Sequence, residues 1–159
     1  MSLSPILCAV EVPLAPVQAF ALFLRLGDWW PLATNSLGLR NAVGCTLEPK
    51  AGGRIYERTA EGLESAWGTL SECNEPERLR FTWHPGRHAS TAQEVEVRFT
   101  RAGTGTRVEL EQRGWEKAGD RAAKLHKIYT DGWPNVLAQY RAKASGTAGS
   151  ASKTDMFHG

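Results

Sequence analysis

The segment Gln93–Arg113, QEVEVRFTRAGTGTRVELEQR, constrains the fold more than any other part of the chain. Val95, Val97 and Phe99 alternate with Glu94, Glu96 and Arg98; beyond the turn AGTG, Val108 and Leu110 alternate with Arg107, Glu109 and Glu111. Successive side chains of a strand point to opposite faces, so this is a hairpin with one wet face and one covered face. Four shorter segments before it, Ala42–Glu48, Gly53–Thr59, Ser65–Cys73 and Arg78–His84, carry β-type patterns bounded by Gly, Pro and Asn. They predict a meandering antiparallel sheet.

A sheet with one apolar face needs something to lie against it. Asp120–Lys143 supplies it, because Ala122, Leu125, Tyr129, Trp133, Val136, Leu137 and Tyr140 recur at three- and four-residue steps and make one helical stripe. Pro134, beside Gly132, predicts a kink or a restart within that helix. At the other end of the chain, Pro5–Val12 reads as a largely buried strand and VQAFALFLRL as a short amphipathic helix that stops at Gly27. The stretch DWWPLATNSLG after it reads as a loop. Strands in a run with helices segregated to the ends make an α+β domain, one curved sheet wrapped around one helix.

A chain of 159 residues fits one domain. The reading is a domain over residues 1–144, with SGTAGSASKTDMFHG at 145–159 as a disordered tail. Nineteen Lys and Arg against seventeen Asp and Glu give a net charge of +2 with the signs interspersed, which argues against nucleic-acid binding. No apolar run approaches the roughly 20 residues that span a bilayer, so no membrane insertion is expected. The leading MSLSPILCAVEVPLAP has no basic region and carries Glu11 and three prolines, unlike a secretory signal. A cytoplasmic protein is therefore expected. Cys8, Cys45 and Cys73 form no CxxC pair and no metal-ligand spacing with His, so neither a disulfide framework nor a zinc site is expected.

The stretches GGRIYE (52–57), WGTLSECNEPERLRFTW (67–83), QEVEVRFT, GTRVELEQRGWE (105–116) and GWPNVLAQY (132–140), in that order, resemble the START-like SRPBCC superfamily of helix-grip folds. Within it they are similar to the bacterial proteins related to the C-terminal domain of the Hsp90 ATPase activator Aha1. The resemblance covers about Leu7–Lys143. It implies a seven-stranded antiparallel sheet gripping the C-terminal helix, two short helices after the first strand, and a cavity that in many relatives holds an apolar molecule.

On that expectation the cavity would be lined by Trp30, Tyr56, Phe81, Trp83, Val97, Phe99, Trp133, Leu137 and Tyr140, with Tyr56, Arg98 or Tyr140 as polar anchors. Alternation supports Leu79, Phe81 and Trp83 as the inward residues of their strand. Trp67 is assigned to the outer face, and Trp115 to a packing lid over the sheet's end. His84 and His88, in WHPGRH, are expected in an exposed loop. Glu57, Glu72, Glu109 and Glu111 sit at polar alternates, and any of them turned inward would be a candidate base. The glycine clusters AGG and AGTG lack the strand-to-helix setting of a phosphate cradle.

The leading expectation is noncatalytic binding of a small hydrophobic or amphipathic ligand, with no catalytic residue, metal or cofactor assigned. An enzyme of the polyketide cyclase or aromatase kind is the alternative. A chaperone co-factor of the Hsp90 type stands third, because it rests on the family name alone. A homodimer fits such a domain, and no feature of the sequence singles it out.

Overall fold

A computed structural model describes residues 3–148. Its elements are β1 (Ile6–Val12), α1 (Pro16–Leu24), β2 (Ala42–Leu47), β3 (Arg54–Thr59), β4 (Glu64–Asn74), β5 (Arg78–Trp83), β6 (Gln93–Ala102), β7 (Gly105–Arg113) and α2 (Ala122–Ala148). The strands form one seven-stranded antiparallel sheet in the order β1-β7-β6-β5-β4-β3-β2, curled around α2 as a half-barrel. After α1 the chain makes a 3-10 turn at Leu26–Asp28, and a second such turn at Leu39–Asn41 leads into β2.

The hairpin read from the alternation is the centre of the sheet. Val97 stands opposite Leu110 and Phe99 opposite Val108, and all four are buried on the inner face. Their neighbours face out and interlock by charge. Arg98 reaches Glu96 at 3.0 Å, Glu109 at 2.7 Å and Glu111 at 3.0 Å, while Arg113 binds Glu94 and Glu96. Burial alone would raise the Glu96 carboxyl; Arg113 and Arg98 overcome that and hold it down at about 2.

Strand β4 departs from simple alternation. Between Ile55–Gly68 and Tyr56–Ala66, β3 advances by one residue while β4 skips Trp67, which is the extra residue of a β-bulge. The bulge turns Trp67 inward together with Leu70. Gly68 is needed there, because a Cβ on it would lie 1.8 Å from the Thr82 carbonyl oxygen of β5.

Two expectations at the C-terminal end need adjustment. α2 does not restart at Pro134; it runs unbroken from Ala122, its start marked by a backbone break at Gly119 (φ 58°, ψ −131°). Burial of Trp133, Val136, Leu137 and Tyr140 on one stripe holds the turns on both sides of the proline in register. α2 also continues past Ala144 to Ala148, so the expected tail begins inside the helix; residues 149–159 lie outside the described part.

Between sheet and helix, one end of the interior is solid. Phe20 and Phe23 of α1 pack edge-on against Phe99 at 5.1 and 5.8 Å, and Phe23 meets Tyr140 at 5.2 Å. Leu137 closes this end without any exposed surface. The Tyr140 hydroxyl donates to the Ala19 carbonyl at 2.6 Å and so ties α2 to α1.

Candidate functional site

The other end of the interior is open. A cavity of about 240 Å³ lies between β4, β5, α2 and the loop after α1, lined by four indoles, Trp30, Trp67, Trp83 and Trp133. Tyr129, Gly132 and Val136 of α2 complete the wall, and Thr34–Leu37 and Pro85 bound the mouth. Leu37 and Ile128 stand at this rim 47% and 49% exposed.

The four rings form one cluster. Trp30 lies 5.1 Å from Trp67 and 5.8 Å from Trp83, and Trp83 lies 5.7 Å from Trp67 and 5.5 Å from Trp133. A buried indole N–H requires an acceptor. Trp30 donates to the Asn35 carbonyl at 2.7 Å, Trp67 to Glu57 Oε1 at 2.7 Å and Trp133 to Gln112 Oε1 at 2.7 Å. The fourth, Trp83 Nε1, is buried without a partner. Leaving such a donor unmet costs about 1–3 kcal/mol.

Glu57 is the inward carboxylate that strand alternation assigned to the wet face. It is 1% exposed, because Ile55 and Glu57 face the interior while Tyr56 faces out. Its Oε1 accepts from the Leu37 amide at 2.6 Å as well as from Trp67, and its Oε2 accepts from the Gly38 amide at 2.8 Å. Three N–H donors thus solvate the carboxylate in place of water. Burial and the Glu57 charge together push the facing Cys45 thiol up to about 12, which keeps that cysteine protonated. Glu57 therefore anchors the loop at the cavity mouth and one of its walls.

Tyr129, on α2, is stacked on Trp133 with centroids 6.0 Å apart. Burial pushes its phenol up, and the nearby Arg87 charge pulls it part of the way back. Arg87 is itself held by the loop after β5, donating to the Thr91 carbonyl at 2.8 Å, Gln93 Oε1 at 2.8 Å and the Trp83 carbonyl at 3.3 Å. Its Nε is buried without a partner. His84, expected in an exposed loop, is 9% exposed, because its backbone N–H continues the β4 ladder to the Trp67 carbonyl at 2.7 Å. His88 is exposed.

Of the residues expected around a cavity, Trp30, Trp83 and Trp133 line this one. Phe81, Val97, Phe99, Leu137 and Tyr140 are buried on the inner side but do not line this cavity. Tyr56 is not in the cavity: it stands on the outer face with the Arg54 guanidinium 4.2 Å from its ring centre. Arg98 is no anchor either, being committed to the glutamates of the outer face. Trp67 corrects the outer-face assignment, since the bulge rotates it inward. Trp115 is buried beyond β7 and packs on His126 and Tyr129. Tyr129 was legible only as a stripe residue; its place beside Arg87 depends on the turn that follows β5.

The activator of Hsp90 ATPase homolog 1-like family matches residues 24–142. The chain belongs to this family. It is similar in structure to the anthrahydroquino-γ-pyrone synthase Txn09, with 30% identity, 90% of this chain and 97% of that one covered, and a TM-score of 0.61. It is likewise similar to CalC from Micromonospora echinospora, a self-sacrificing resistance protein, with 25% identity, 92% and 97% covered, and a TM-score of 0.66. The Aha1 dimer from Colwellia psychrerythraea shares the fold at 12% identity and a TM-score of 0.66, with 92% and 100% covered. No curated protein matches. Among the described residues, no helix is long and apolar enough to cross a membrane and no group of His, Cys, Asp and Glu is placed to hold a metal.

Proposed function

We propose that this AHSA1-family domain binds a small apolar molecule in the tryptophan-lined cavity. The observation that carries the reading is the cavity itself, about 240 Å³ of unfilled space walled by a cluster of four indoles. A dry apolar cavity of about 150 Å³ already holds benzene. The space here suits a compact ligand of two or three fused rings, laid against the aromatic wall.

Native mass spectrometry of the purified protein, set against the denatured mass of the same sample, tests this directly. A discrete excess mass lost on denaturation is the expected result. A bare mass, with no thermal stabilisation by lipophilic compounds at about 100 times a useful Kd, where about 2.7 kcal/mol is due, would sink it.

A second reading, an enzyme of the cyclase kind, draws on the 30% identity to a synthase along nearly the whole chain. In the cavity, Tyr129 and Trp83 supply donors for a developing oxyanion. Glu57, the inward carboxylate, has both oxygens committed to three N–H groups of the protein. Recovery of a bound ligand unchanged after prolonged incubation favours binding alone; a changed ligand mass favours the enzyme.

A further inference from the structure

We infer that the ligand is a planar aromatic carrying a carbonyl-type oxygen, received by the Trp83 indole N–H and the Tyr129 hydroxyl with the Arg87 guanidinium behind them. This rests on the cavity reading above and names the chemistry the cavity selects. Three observations converge. Trp83, 3% exposed and in the cavity wall, has the one indole N–H of the four-ring cluster without an acceptor. Tyr129 lines the same wall, and its phenol carries a proton it can donate to an acceptor in the cavity.

Arg87 is the third. Its four protein acceptors are neutral oxygens, the carbonyl and hydroxyl of Thr91, Gln93 Oε1 and the Trp83 carbonyl, and among the described residues no carboxylate lies within ion-pair distance of it. A half-buried cation without a counter-charge, next to unmet donors, selects for an acceptor oxygen and for partial negative charge on it. An apolar hydrocarbon would fill the space and leave Trp83 unmet; an aryl ketone would fill it and satisfy Trp83.

The matched probes are fluorene and 9-fluorenone, which share a ring plane and differ by one carbonyl oxygen. Equilibrium dialysis against the full chain is expected to give about tenfold tighter binding of the ketone. The infrared carbonyl stretch of bound 9-fluorenone should move to lower frequency than in hexane. Trp83→Phe and Tyr129→Phe should each bring the ketone-to-hydrocarbon affinity ratio towards one; the ratio within each variant cancels any loss of shape. Equal affinity for the two probes, or a ratio unchanged in Tyr129→Phe, would overturn the oxygen subsite and leave the cavity reading standing. Failure of both probes to bind would overturn the two together.

Discussion

Glu57 carries more of the site than any other single residue. A carboxylate offers only acceptors, and here three N–H groups, from Leu37, Gly38 and Trp67, converge on it. Glu57→Gln keeps the shape but places an NH2 where an oxygen stood, so at least one of those donors meets another donor. A loss of about 1–3 kcal/mol in urea unfolding is expected. Faster hydrogen exchange at the Leu37 and Gly38 amides should accompany it; unaltered protection there would remove Glu57 as the anchor of the cavity mouth. Nothing in IYER marks this glutamate as buried, because the cost of burying it is offset by a loop twenty residues earlier in the chain.

At the scale of elements, β5, β6 and β7 are joined on the outer face by Arg80, Arg98 and Arg113, all of which reach Glu96. Burial opposes the Glu96 charge and the arginines restore it, so its carboxyl titrates at about 2 in the folded chain and near 4.5 when unfolded. A depressed carboxyl contributes stability that is fully present above the unfolded value and lost as pH falls through the folded one. The Tm should therefore fall between pH 4.5 and 2 more steeply in the parent than in Glu96→Gln, measured by scanning calorimetry; identical slopes would assign the acid sensitivity elsewhere. The alternation EVEVRF predicts which residues face out but not this convergence, which needs the register of three strands.

For the molecule as a whole, the interior divides into a packed end and an open end along one helix. Leu137 is fully buried away from the cavity, and Val136 stands in the cavity wall. Leu137→Ala should cost about 2–5 kcal/mol, because the void it leaves is enclosed by side chains that cannot close it. Val136→Ala should cost less than half as much, since its methyl groups already border empty space and alanine is the better helix former. Chemical denaturation of the two variants decides the matter, and equal costs would mean that the cavity end is as tightly packed as the other.

The sequence alone determined the sheet, the stripe of α2 and the order of elements, because periodicities of 2 and 3.6 are local properties that survive in one dimension. It also placed Trp83 and Trp133 on the inner side, and the family resemblance added Trp30. The tertiary structure decided the rest. One skipped residue in β4 reverses the face of Trp67, a loop's amides make a buried Glu57 tolerable, and Phe20 and Phe23 pack on Phe99, which was expected to line the cavity. Each of these depends on groups distant in the chain meeting in space: a bulge needs a partner strand, a buried charge needs donors, and a void exists only where the surrounding side chains fall short of one another.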